Sequence, residues 1–79
     1  MDLREILETL ERRYSLKLPR KVTMADYGED VGDLYVRFRY AEKTEGETSD
    51  DGLVILHYDE KEEIVGIEIM NIDALRSQA

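Results

Sequence analysis

The sequence predicts an α+β domain, an N-terminal amphipathic helix packed on an antiparallel β-meander of three or four strands. Three observations predict it. Leu3, Ile6, Leu7, Leu10 and Tyr14 recur at helical spacing. The stretch "DLYVRFRY" alternates strictly, with Leu34, Val36, Phe38 and Tyr40 on one side and Tyr35, Arg37 and Arg39 on the other. Two further apolar runs, "LVILHYD" and "IVGIEIM", flank a short charged "EKEE", as the arms of a hairpin would. The whole chain, 1–79, reads as one domain: a helix over about 2–15, a sheet over about 20–70 and a C-terminal tail over 71–79.

Each element has its local signals. Asp2 stands where it can cap the free N–H groups of the helix, with Glu5 three residues on. Met1 and Ile6 occupy the positions of a hydrophobic staple. Glu8 and Arg12 form an i, i+4 pair of favourable polarity, and Arg12 and Arg13 suit the negative end of the helix dipole. Pro19 disfavours helical geometry at Leu18, so the helix stops before it. Val22 and Met24 suggest a short first strand, and "DYGEDVGD" a turn. "AEKTEGETSDDG" reads as a polar loop, and "LVILHYD", apolar on both faces, as an interior strand. "NIDALRSQA" offers one helical turn on Leu75 and then a frayed end.

Two registers compete for the hairpin. A two-residue turn at Lys61-Glu62 sets Tyr58 against Val65, Leu56 against Ile67 and Val54 against Ile69, which leaves Glu68 opposite Ile55 and His57 opposite Gly66. A three-residue turn with a bulge shifts the pairing by one and exchanges the faces. Neither Lys61 nor Glu62 favours a positive φ. The first register gives the longest apolar pairs and is preferred.

Composition narrows the function classes. The 79 residues contain no cysteine, which removes disulfides, thiolate metal sites and cysteine nucleophiles. No apolar run approaches the roughly 20 residues of a membrane span, and Asp2, Arg4, Glu5 and Glu8 interrupt any signal-like segment. A cytoplasmic soluble protein is the expectation. Net charge is −8, unevenly spread. Residues 1–25 hold six bases and four acids; residues 26–79 hold 15 acids and five bases. An acidic body does not suit a phosphate backbone, and the basic stretch Arg12, Arg13, Lys17, Arg20 and Lys21 is the only patch that could. That stretch is better placed to meet the acidic body, in its own chain or a second copy. High charge with one Asn and one Gln leans toward a thermophilic source.

The segments "GDLYVRF" and "DDGLVILHYDEKEEIVGIEIM" together resemble a family of short prokaryotic proteins, domain of unknown function twenty-two eighty-three. The resemblance runs from about Tyr27 to Met70. Leu34, Tyr35, Val36, Arg37, Asp59, Val65, Gly66, Ile67, Glu68 and Ile69 carry it. The chain departs from the pattern at Gly32, where an aspartate is usual, at Glu62, which replaces a hairpin glycine, and at His57, where an aspartate is common. The N-terminal helix is an addition. The resemblance implies a small antiparallel sheet and no assigned chemistry. Some members are said to be encoded beside small toxin-like proteins, so the resemblance implies an antitoxin or partner-binding role.

Chemistry-bearing residues are few. Glu68, between two isoleucines, is either one half of an acid–base or metal-binding pair with Asp33 or Asp59, or the polar member of an alternating strand paired with Arg37 or Arg39. Alternation favours the second. His57 is the only histidine, so ordinary zinc spacing is absent, and Tyr35 or an acid is its expected partner. Gly66 in mid-strand marks a bulge or a ring laid over the backbone. The loop acids Glu42, Glu45, Glu47, Asp50 and Asp51 read as solvated charge. No serine elbow, phosphate-binding glycine loop or calcium loop is present. No catalytic residue, metal ligand or cofactor is assigned. The expected binding residues are Glu68, His57, Asp33, Tyr35, Arg37 and Asp59. One helix covers one sheet face and leaves Leu53, Ile55, Met70 and Tyr35 on the other, so a symmetric homodimer is expected. The expected function is a non-enzymatic protein-interaction module, antitoxin-like, for a basic partner. The alternative is a small acid–base or metal-dependent enzyme using Glu68.

Overall fold

A computed structural model describes residues 2–77, with the side chains of Arg76 and Ser77 excepted. The Met1 staple and the frayed end at residues 78 and 79 lie outside the described residues. Helix α1 spans Leu3–Tyr14. Asp2 caps it, its carboxylate accepting the Glu5 N–H at 2.9 Å. The chain leaves the helix at Ser15, which adopts the left-handed conformation, φ 55°. The helix therefore ends at Tyr14, five residues before Pro19. Glu11 secures this exit, since its carbonyl accepts the Leu16 N–H and its carboxylate the Leu18 N–H.

The fold class is α+β, with an antiparallel sheet of five strands rather than three or four. The strands are β1 (Met24–Gly28), β2 (Asp33–Arg37), β3 (Glu45–Thr48), β4 (Val54–Tyr58) and β5 (Ile64–Ile69). They lie in the order β1-β2-β5-β4-β3, so β5 is the middle strand and β4 is interior. The additional strand, β3, lies inside the polar segment that reads as a loop. "EGET" has no apolar side chain and every residue of β3 is exposed, so backbone pairing to β4 defines it. β1 begins at Met24, further along than the Val22–Met24 alternation suggests, and leaves residues 29–32 to make the turn.

The β4–β5 hairpin combines features of both registers. Near the turn, Tyr58 pairs with Ile64; beyond a bulge, His57 pairs with Gly66, Leu56 with Ile67, Ile55 with Glu68 and Val54 with Ile69. Val65 is the extra residue of the bulge, and its carbonyl accepts the Phe38 N–H at 2.8 Å. The turn is therefore the longer one, with Glu62 forced to φ 63°, while the bulge restores the preferred pairing for the rest of the strand. Asp59 organises this turn, its carboxylate accepting the N–H groups of Lys61 and Glu63, each at 2.9 Å.

The core lies on one sheet face. Ile6 and Leu10 of α1 meet Leu34, Val36, Phe38, Val54, Ile67 and Ile69 from the sheet. Leu53 packs against this cluster too, rather than standing on the opposite face. The C-terminal segment contributes more than one turn on Leu75: α2 spans Ile72–Ser77, and Ile72 and Leu75 both enter the core. Asn71 caps α2 by accepting the Ala74 N–H at 3.0 Å.

Asp51 ties the end of α1 to the β3–β4 connection. Its carboxylate accepts from Ser49 Oγ (2.6 Å), Leu53 N (3.0 Å), Tyr14 Oη (2.7 Å) and Arg13 Nη2 (3.0 Å). Part of the basic stretch thus meets the acidic body within one chain. Asp51 is a structural anchor, not a solvated loop charge. The Ser49 hydroxyl, then the Leu53 amide, then Tyr14 and Arg13 hold its carboxyl well below the ordinary value of 3.8, against an opposing effect of burial.

Two outcomes are expected. A depressed folded pKa gives stability that is present above the unfolded value and is lost as pH falls through the folded one. Asp51→Ala should therefore lower the unfolding free energy measured in urea at pH 7 by roughly 1–2 kcal/mol after discounting for solvent screening. The gap to wild type should narrow as the pH is taken below 3.8. Separately, Glu62→Gly relieves the left-handed strain, about 1–2 kcal/mol, against an entropic loss of about 0.5–1 kcal/mol. It should raise stability slightly in the same assay, whereas Glu62→Val should lower it.

Candidate functional site

Strand alternation sends a second set of side chains to the face opposite the core. Pairing across the sheet aligns them in two rows. One row runs Met24, Arg37, Gly66, His57, Gly46. The next runs Asp26, Tyr35, Glu68, Ile55, Thr48. Neither helix contributes a residue to these rows.

The centre of this face is organised by Gly66. A Cβ there would stand 3.2 Å from the Val36 carbonyl oxygen and 3.3 Å from the Tyr35 hydroxyl. The absent side chain lets the Tyr35 ring lie across the strand. Tyr35 then meets His57 edge to face, with centroids 5.8 Å apart and planes at 86°. Arg37 closes the other side: its Nε lies 3.4 Å from the Tyr35 hydroxyl, and its guanidinium carbon 5.7 Å from the ring centroid.

His57 sits between Tyr35 and the second glycine of its row, Gly46, whose Cβ would stand 3.6 Å from His57 Cε1. His57 Nε2 is buried without a hydrogen bond. Its nearest acid is Glu68, with Oε1 at 3.6 Å. That distance is too long for a hydrogen bond and forms an ion pair only when the imidazole is protonated. Glu68 is thus the polar member of an alternating strand, and its partner is His57 rather than Arg37 or Arg39.

The six residues expected to form a site separate into two groups. Tyr35, Arg37, His57 and Glu68 come together. Asp33 and Asp59 do not join them. Asp33 sits at the β1–β2 end of the sheet, its carboxylate against Gly28, where a Cβ would collide with it. Asp59 lies four residues beyond Ile55, the partner of Glu68, or about 13 Å along the strand, and is engaged by Arg39 and the turn amides. The Glu63 amide, then Arg39 and the Lys61 amide, lower its pKa against the effect of burial. The acid–base pair of Glu68 with either aspartate is therefore not assembled. Among the described residues, no three His, Asp or Glu side chains converge as metal ligands.

Sequence reasoning missed Asp26, Gly46 and Thr48 as members of this face. The signal for Gly46 and Thr48 is the period-two pattern of "EGET", which sets Glu45 and Glu47 toward one side and Gly46 and Thr48 toward the other. What the assembled residues offer is an aromatic ring, one cation, one carboxylate and one imidazole, with a second carboxylate, Asp26, in the outer strand.

The chain matches the family described as "Protein of unknown function (DUF2283)" over residues 25–72, more than half its length, and belongs to that family. Neither the curated proteins nor the solved structures yield a match. The matched segment takes in the sheet except Met24 and reaches the first residue of α2, and α1 lies outside it.

Gly66→Ala tests the packing of this face. The Val36 carbonyl is backbone and cannot yield, so the added methyl must displace Tyr35 and the strand. The expected outcome is a loss of roughly 1–3 kcal/mol in urea unfolding, in the range of overpacked sites. The near-ultraviolet tyrosine signal should change with it.

Proposed function

We propose that this member of the family is a non-enzymatic protein-interaction module, and that the open sheet face bearing Tyr35, Ile55, His57 and Glu68 is its main contact surface. The observation that carries this reading is the asymmetry of the sheet. Helices α1 and α2 bury residues of one face. On the other, Tyr35, Arg37, Ile55, His57 and Glu68 are all half-buried. Met24 and Met70 add exposed apolar surface, at 39% and 42%.

The occupant we assign is a second copy of the chain, in a symmetric homodimer. Elsewhere two copies repel, since each carries −8. The open face differs: Arg37 and His57 lie in one row, Asp26 and Glu68 in the next. A two-fold axis running between the rows sets each row against the other. The basic row of one copy then faces the acidic row of its partner, and Gly66 and Gly46 leave low ground for the larger side chains. A basic protein partner, in an antitoxin-like arrangement, would meet the acidic outer surfaces that such a dimer leaves free. Acid–base or metal-dependent chemistry by Glu68 with Asp33 or Asp59 has no assembled geometry behind it.

Light scattering tests this reading. Wild type should run as twice 9.2 kDa at micromolar concentration. Ile55→Lys should weaken self-association at least about tenfold with an unchanged far-ultraviolet spectrum, because a lysine there pairs with Glu68 across the strand in the monomer. A 9.2 kDa wild type, or an Ile55→Lys variant that dimerises as well as wild type, contradicts it.

A further inference from the structure

The other feature left open is an edge of the sheet. We infer that β1 is a strand-addition site for an extended segment of a partner protein, with side chains that alternate between apolar and cationic. This builds on the reading of the chain as an interaction module, but it uses the sheet edge rather than the centre of the open face, sharing Asp26 with it, and a different partner.

β1 is an outermost strand, and Met24, Ala25, Asp26 and Tyr27 are all exposed. Among the described residues only β2 pairs with it, which leaves its outer backbone groups to another strand. Its two sides differ chemically. On the helix side, Ala25 and Tyr27 border a groove of about 380 Å³ that Leu3, Ile6, Leu34 and Ile72 also line, with Asp73 as its one acid. A strand added to β1 places every second side chain over this groove, and apolar groups fit it. On the opposite side an added strand would flank Met24 and Asp26, and Asp26, which pairs with Tyr35, is the charged residue of β1. Glu29 and Asp30 follow in the exposed turn. The intervening side chains of the added strand therefore meet negative charge, and cations fit them.

The alternatives are less well matched. A second copy pairing antiparallel through β1, centred on Asp26, sets Asp26 against its own equivalent between two chains of −8. The opposite edge, β3, exposes Glu45 and Glu47. Its neighbouring grooves are lined by Glu45, Glu47, Asp59 and Glu62, with no aliphatic floor. That edge is guarded by charge, in the usual manner of edges that avoid pairing. β1 is the edge that combines free backbone, a groove with an apolar floor and one charged residue in the strand itself, Asp26.

The probe is a fluorescent peptide of about nine residues alternating lysine and valine, long enough to span a strand, titrated against the full chain by anisotropy. It should bind wild type. Asp26→Lys, at an exposed position, should weaken binding at least about tenfold and should allow the corresponding glutamate–valine peptide to bind instead. Glu47→Lys on the β3 edge and Ile55→Lys on the open face should leave binding unchanged. No binding of the lysine–valine peptide to wild type overturns the inference. So does equal binding of an all-lysine peptide, equal loss in Asp26→Lys and Glu47→Lys, or loss in Ile55→Lys. Because the Ile55→Lys variant reports on self-association separately, failure at β1 and failure of the dimer are distinguishable.

Discussion

The dominant constraint is that a single sheet has two faces and this chain has helices enough for one. β5, the middle strand, shows the consequence within a single element. Its Ile67 and Ile69 are fully buried against the helical layer, each contributing about 1.5–3 kcal/mol of burial. The residues between and before them, Glu68 and Gly66, face the other way. A parallel α/β protein would cover that second face with crossover helices. Here every strand pairing is antiparallel, so none of the connections within the sheet supplies such a crossover. α1 precedes the sheet and α2 follows it, and both pack on the same side.

Which residues end up open depends on the hairpin. A one-residue slip between β4 and β5 would exchange the two faces of β5 relative to its neighbours. The turn itself points toward that slip, because its Tyr58–Ile64 pairing belongs to the shifted register. The bulge at Val65 corrects it, and Phe38 holds the bulged carbonyl. The strain at Glu62 and the bulge are thus two parts of one device that keeps Ile67 and Ile69 inside and Glu68 outside. Asp59, rather than acting as a partner for Glu68, provides the hydrogen bonds that keep this turn closed.

Much of this was legible because it is written in side-chain periodicity. The amphipathic stripe of α1, the alternation of β2 and the apolar pairs of β4 and β5 each report which side faces the core. Together they placed His57 opposite Gly66 and Ile55 opposite Glu68, as the structure does. What was not legible lacks such a pattern. β3 is exposed on both faces, so its residues carry no apolar alternation. α2 is too short for a helical repeat to show. The anchoring of Asp51 by Tyr14 and Arg13 joins residues far apart in the chain, and no local spacing encodes it. Asp33 and Asp59 were plausible partners for Glu68 by composition alone; strand geometry turns one toward Gly28 and leaves the other at the turn.

The most direct measurement is the solvent exposure of individual methyl groups by nuclear magnetic resonance, with a soluble paramagnetic agent, at low and high protein concentration. Ile67 and Ile69, fully buried, should be protected at both. Ile55 should be relaxed strongly in dilute protein and become protected as concentration rises, together with the Tyr35 ring. Protection of Ile55 that tracks self-association is the predicted result. An Ile55 that stays equally exposed at every concentration, in a chain that diffuses as 9.2 kDa throughout, would contradict the view that a second copy covers the open face.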